Sequence, residues 1–245
     1  MNKFEKVVLI TGCAGFIGAA LSKRFLAANY RVIGIDNLNN YYDIKLKYDR
    51  LKVIENFVKD RKSLWDFFNV SIDNILEIKD IFIKNKPDIV INLAAQAGVR
   101  FSINNPASYV KSNLNGFFNI LENCKDNNVE HLVYASSSSV YGGNDDYPFT
   151  ENHKINRPLS FYAATKISNE MMAYSYSNIY NIPITGLRFF TVYGPWGRPD
   201  MAPMIFSKKI FLKEPISIFN YGKMSRDFTF IEDIVEGTYL CALKA

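Results

Sequence analysis

The segment VVLITGCAGFIG, residues 7–18, constrains this chain more than any other stretch. Its apolar run reads as a strand buried on both faces, and it leads directly into Gly12, Gly15 and Gly18, which open a stretch of helical period. At such a junction a tight turn, a close backbone approach to a ligand and a helix–sheet contact each exclude a side chain. The helix that follows aims its free N–H groups and dipole at an anion over the loop, and a dinucleotide pyrophosphate suits that position. Spaced small residues also serve plain helix packing, so the loop takes its meaning from Asp36. This carboxylate stands roughly twenty residues on, at the end of the next apolar run, where it bonds the adenosine ribose hydroxyls. A 2′-phosphate there would meet like charge, and Asn37 and Leu38 bring no cation, so NAD is expected rather than NADP.

From residue 7 to 136 short β-branched runs alternate with longer helical periods, the pattern of βαβ units on a parallel sheet. Strands are expected at 7–10, 31–36, 66–70, 89–92 and 131–135, with a further strand at 184–189. Helices are expected at 17–28, 44–59, 74–85, 106–127 and 160–180, Pro106 sitting in a first turn where a missing N–H matters little. The fold class is therefore α/β, a Rossmann-type doubly wound parallel sheet. After Phe190 glycine and proline rise (GPWGRPDMAP) and the period fades, so residues 1–189 read as the nucleotide-binding domain and 190–245 as a small, loop-rich and incomplete C-terminal lobe. The lysine-rich segment 41–68 reads as a solvated helix on the sheet face.

Composition narrows the function classes. The 29 basic and 24 acidic residues give a net charge of +5, dispersed rather than gathered into a block that would track nucleic acid. Cys13, Cys124 and Cys241 lie far apart, and His131 and His153 are the only histidines, so neither a disulfide framework nor a metal site is expected. No apolar run approaches the roughly 18 residues of a membrane span, and residues 1–18 lack the pattern of a secretory leader, so a soluble, cytoplasmic protein is expected.

Tyr162 and Lys166, in YAATK, stand four apart on a predicted helix and project from one face. A phenol ordinarily titrates near pH 10, so a base working near pH 7 needs roughly 4 kcal/mol of preferential anion stabilisation, which a neighbouring ammonium and a nicotinamide cation can supply. The strand 131–135 runs into Ser136, Ser137, Ser138 and Ser139, and ligands of open α/β sheets bind at the C-terminal ends of strands. A serine-rich turn is the plain reading of part of that run.

The pieces TGCAGFIG, DNLNNYYD, NLAAQAGVR, YASSSSVYGG, SFYAATK, LRFFTVYGPWGRPDMA and YGKMSRDFTFIEDIVEG, in this order from residue 11 to 237, resemble the extended short-chain dehydrogenase/reductases. Within them the chain is similar to the NAD-dependent nucleotide-sugar epimerase/dehydratase family, above all its uronate 4-epimerase branch. The resemblance implies that Tyr162 is the catalytic base, Lys166 its helper and nicotinamide-ribose ligand, and Ser137 the hydroxyl on the sugar O4. It implies cofactor contacts from Gly12, Gly15, Phe16, Ile17 and Gly18, from Asp36, Asn37 and Asn40, and from Ile72, Leu93, Ala94 and Ala95. Ser138, Ser139, Arg100, Thr191, Arg198 and Arg226 fall to the substrate, with Thr191 and Arg198 toward a sugar carboxylate and Arg226 on the UDP phosphates, where a guanidinium fork spans two oxygens.

The implied activity is NAD-dependent 4-epimerisation of a UDP-sugar, UDP-glucuronate to UDP-galacturonate, through a transient 4-keto sugar. Dehydratases and decarboxylases of the family carry acidic residues where Ser138 and Ser139 stand, which favours plain epimerisation. A UDP-glucose or UDP-N-acetylhexosamine epimerase and a catalytically impaired NAD-binding protein stay open. Two departures motivate the last. Family chains run longer than these 245 residues and carry a second phosphate-binding arginine further on, and Ser71 stands where many relatives have an aspartate beside the adenine. Reduced turnover and exposed apolar surface at Ile205, Phe206, Ile210 and Phe211 are expected on this basis. A homodimer through a four-helix bundle of helices 106–127 and 160–180 is a further implication.

Overall fold

A computed structural model of the chain describes residues 6–244. The first five residues of the stretch read above for a leader therefore lie outside the described part. Six strands, β1 (Val7–Thr11), β2 (Arg31–Asp36), β3 (Trp65–Asn69), β4 (Ile89–Asn92), β5 (His131–Ala135) and β6 (Ile184–Leu187), form one sheet in the order β3-β2-β1-β4-β5-β6. Every neighbouring pair is parallel. The order reverses between β1 and β4, which opens a crevice at their C-terminal ends.

Burial on both faces explains the continuous apolar runs. Val8 and Ile10 of β1 join a core with Phe16, Phe25, Leu51 and Ile54, while Val7 and Leu9 join another with Ile78, Phe82, Phe117 and Ile120. Successive side chains thus divide between two helical layers, as the period of two requires. Helices α1 (Phe16–Ala27) and α2 (Ile44–Phe57) cover the first face, and α3 (Ile75–Asn85) the second. The Asp43 side chain accepts from Lys45 N at 2.9 Å and starts α2. Asn74 caps α3 by accepting from Glu77 N.

The single helix expected at 106–127 is broken. Short helices α4 (Phe101–Asn104) and α5 (Pro106–Tyr109) lead into a π-helical segment, Val110–Asn115, and then α6 (Gly116–Asp126). Asn113 sits buried in the wide turn, accepting from Gln96 N at 2.8 Å and donating to Gln96 O at 3.1 Å and Thr165 Oγ1 at 3.0 Å. A hydrogen-bonding side chain that ties the helix to a loop and to another helix carries no mark in hydrophobic period. Helix α7 (Phe161–Tyr180) starts where Ser160 Oγ accepts from Ala163 N at 3.0 Å.

The region past Phe190 is more regular than its composition suggests. It contains β7 (Thr191–Tyr193), α8 (Ala202–Phe211), β8 (Phe228–Phe230) and α9 (Ile231–Ala242), with β7 and β8 paired in parallel. Ile231, Val235, Tyr239 and Ala242 of α9 belong to the same core as α1, with Tyr239 edge-on to Phe25 at 4.9 Å between ring centroids. Helix α8 has no buried residue, and Ile205, Phe206, Ile210 and Phe211 are all exposed, Phe211 at 86%.

One sequence expectation fails along α2, and one partner went unseen. The helix is not simply a solvated one, because Lys47 and Arg50 are buried beside Leu51 and Ile54. Asn37 and Leu38 bring Asp36 no cation, but the next helix does: Lys47 Nζ stands 3.6 Å from its Oδ1. Neighbours in sequence could not disclose a partner that arrives from the next helix. Among the described residues no helix is long and apolar enough to cross a membrane, and no group of three or more His, Cys, Asp or Glu could hold a metal ion. Cys13, Cys124 and Cys241 are free thiols.

Candidate active site

The glycine loop follows from close contact. Gly12 has φ +71°, and a Cβ there would lie 2.9 Å from Ala94 N, so this loop and the one after β4 touch through backbone. A Cβ on Gly18 would lie 2.1 Å from Gly12 O, which fixes α1 directly against the turn. Gly15 caps α1 with no side-chain acceptor for its first N–H groups. Phe16 is buried and Ile17 half-buried behind the loop. The cradle fits a dinucleotide pyrophosphate, because backbone donors line it and added side chains would fill it.

Asp36 closes one end of this crevice. Its carboxylate accepts from Leu38 N at 2.8 Å and from Ala14 N at 3.2 Å, which ties β2 to the glycine loop. Asn37 is exposed and donates to Ser71 Oγ at 3.2 Å, and Ser71 in turn donates to Asp73. A carboxylate therefore reaches the Ser71 position from two residues further on. Ile72 is buried against Gly116 and held by Asn119 Nδ2, which donates to its carbonyl at 3.0 Å. Leu93, Ala94 and Ala95 leave β4 across from Gly12, with Ala94 N donating to Thr11 Oγ1 at 3.1 Å.

Tyr162 and Lys166 come together with Ser137 where β5 ends. Lys166 is buried and donates to Ala135 O at 2.7 Å, with its Nζ 6.0 Å from the Tyr162 ring centroid. Burial lowers the ammonium's pKa to about 8. Burial also pushes the Tyr162 phenol up from its ordinary value, while the Ser137 hydroxyl and the positive charge of Arg198 pull it down. Ser139 Oγ donates to Ser137 Oγ at 2.9 Å, and Ser138 N donates to Phe189 O at 2.9 Å.

The remaining expected substrate residues are placed unevenly. Arg198 directs its guanidinium fork at Asp200, which also accepts from Tyr41 OH at 3.0 Å. Thr191 N donates to Asp227 O at 3.3 Å, so Arg226 falls just before the β7–β8 ladder, where it is exposed. Arg100 is exposed and lies 4.0 Å over the Phe219 ring, and Asn40 is exposed as well.

Three residues escaped the sequence reading. Asn113 links the crevice loop to α7, as described above. Lys47 donates to Asn39 Oδ1 at 3.0 Å beside Asp36, and Arg50 donates to Ala14 O at 3.1 Å, Tyr42 OH at 2.7 Å and Trp196 O at 2.6 Å. A signal for the last two existed: they interrupt the stripe that continues through Leu51 and Ile54, and a cation in an apolar stripe needs a buried partner.

The chain is similar to Protein CapI of Staphylococcus aureus, 53% identical over 231 residues, which cover 94% of this chain and 67% of that protein. It is 45% identical over 237 residues to a probable UDP-glucuronate 4-epimerase of Rhizobium meliloti, covering 93% of this chain and 65% of that one. It thus spans about two-thirds of the length of these curated relatives. Among solved structures it is similar to UDP-glucuronic acid 4-epimerase from Bacillus cereus in complex with UDP-glucuronic acid and NAD. The TM-score is 0.88 at 35% identity, covering 98% of this chain and 73% of that one. The model of the NAD dependent epimerase/dehydratase family matches residues 8–245, and the chain belongs to that family.

Proposed function

We propose that this chain carries out NAD-dependent 4-epimerisation of a UDP-sugar, with UDP-glucuronate and UDP-galacturonate as the exchanging pair. The observation that carries the reading is the convergence of the Tyr162 phenol and Ser137 beside the buried Lys166, which donates to Ala135 O at the crevice end of β5. Gly12, Gly15 and Gly18 would hold the pyrophosphate and Asp36 the adenosine ribose, while Lys166 would reach the nicotinamide ribose. NAD supplies a hydride acceptor and then a hydride donor at the sugar C4.

Tyr162 takes the O4 proton as C4 becomes a carbonyl, and returns it when the opposite epimer forms, so protons and electrons balance over the cycle. Ser137 bonds O4 and keeps it in line with the phenol. Ser138 and Ser139 offer no carboxyl to eliminate water or drive loss of carbon dioxide, which supports epimerisation over dehydration. Thr191, Arg198 and Arg226 would face the substrate, with residues 190–245 contributing a partial substrate lobe. The reading makes this a cytoplasmic enzyme, and the exposed Val110, Phe118, Met171 and Tyr174 support a homodimer built on α6 and α7.

Replacing Tyr162 by Phe tests the assignment. Conversion of UDP-glucuronate, followed by separation of the two epimers, is expected to fall by roughly 10²–10⁴-fold or more. NAD binding is expected to persist, since the phenol is not part of the pyrophosphate cradle. A variant that turns over at the parent rate would remove Tyr162 as the base.

A further inference from the structure

The neighbourhood of Asp36 contains a cation with no assigned task. Lys47 is 5% exposed and Asp36 7% exposed, and the ammonium stands 3.6 Å from the carboxylate. Its other partners are neutral, Asn39 Oδ1 at 3.0 Å and the Tyr42 ring, whose centroid lies 5.4 Å away. Asp36 also accepts two backbone N–H groups, so its position is set independently of Lys47. Arg50, the other buried cation of α2, directs its terminal nitrogens at Ala14 O, Tyr42 OH and Trp196 O.

We propose that Lys47 is a latent ligand for a 2′-phosphate, held neutralised by Asp36, so that the Asp36–Lys47 pair sets the choice of NAD over NADP. The inference rests on the dinucleotide reading above. A carboxylate that bonds the ribose 2′-hydroxyl stands where an added phosphate would go, and an ammonium 3.6 Å from that carboxylate is within reach of the same space. With Asp36 ionised, the pair is neutral and a dianionic phosphate finds no net positive charge. With the carboxylate neutralised, Lys47 becomes a buried cation in need of an anion, and a phosphate supplies one.

Equilibrium binding of NADH and NADPH, followed by nucleotide fluorescence on protein freed of bound dinucleotide, tests this without any turnover. Asp36→Asn keeps the side-chain size and an acceptor oxygen, and is expected to shift the NADPH/NADH affinity ratio toward NADPH by at least tenfold. Adding Lys47→Met to that variant should abolish the gain. Lys47→Met alone leaves an unneutralised carboxylate with both backbone bonds intact, and should weaken NADPH binding several-fold below the parent level. A gain that persists in the double variant, an Asp36→Asn protein with an unchanged ratio, or unaltered NADPH binding in Lys47→Met would each overturn the proposal. A parent protein that binds neither nucleotide would instead defeat the dinucleotide reading, and this inference with it.

Discussion

Gly18 and Gly12 hold the crevice together by what they lack. Because a Cβ on Gly18 would stand 2.1 Å from Gly12 O, Gly18→Ala must push α1 away from β1 or distort the loop. Overpacking of this kind costs about 1–3 kcal/mol, and the denaturation midpoint should fall accordingly, with dinucleotide affinity lost as the loop shifts. A midpoint equal to that of the parent would mean that the loop tolerates a methyl group. The glycines were legible because their spacing follows an apolar strand. The Tyr162–Lys166 pair was legible for a similar reason, since positions four apart on one helix are neighbours wherever that helix lies. The burial of Lys47 was harder to read: a lysine on an amphipathic helix looks solvated until its carboxylate partner on another strand is known.

Helix α9 shows the same distinction among elements. Its sequence has helical period, but nothing local indicates that it docks on α1, across more than two hundred residues of chain, as well as on β7 and β8. Tyr239 anchors that contact, packed against Phe25 and Tyr30 with the Arg24 guanidinium 3.6 Å from its ring centroid. Tyr239→Ala is therefore expected to destabilise the protein by about 3–5 kcal/mol, as aromatic-to-alanine changes in a core do. The nearby Arg24–Glu236 pair, 31% and 47% exposed, should matter far less, because solvent screens it: Glu236→Gln is expected to leave the denaturation midpoint close to that of the parent. Urea titration of both variants checks the contrast, and a larger loss from Glu236→Gln would show that charge rather than packing seats α9. The broken helix before α6 was equally hidden, because Asn113 serves partners in a loop and in α7.

For the whole molecule, the buried Lys166 links stability to pH. Its pKa is lowered from 10.5 to about 8, so between these values the unfolded chain holds more protons than the folded one. Its contribution to stability therefore rises as pH increases through that window, is complete above the unfolded value, and is lost as pH falls through the folded one. The gain amounts to roughly 3 kcal/mol across the window. Lys166→Met should lack it, so subtracting the variant's pH profile from the parent's should leave a rise between about pH 8 and pH 10. Parallel profiles would mean that the ammonium is solvated.

By itself the sequence determined the order of the strands through β5 and of helices α1 to α3, the glycine cradle, the acidic residue that follows it, and the tyrosine and lysine that share a helix face. Each depends on residues close along the chain, where backbone period and side-chain spacing set the geometry. Only the tertiary structure decided that Lys47 pairs with Asp36, that Arg198 pairs with Asp200 beside Tyr41, and that α9 completes the core over α1. Those pairings arise when the parallel sheet brings distant segments to one edge or one face, and low solvent exposure there makes each charge depend on partners that no local pattern encodes.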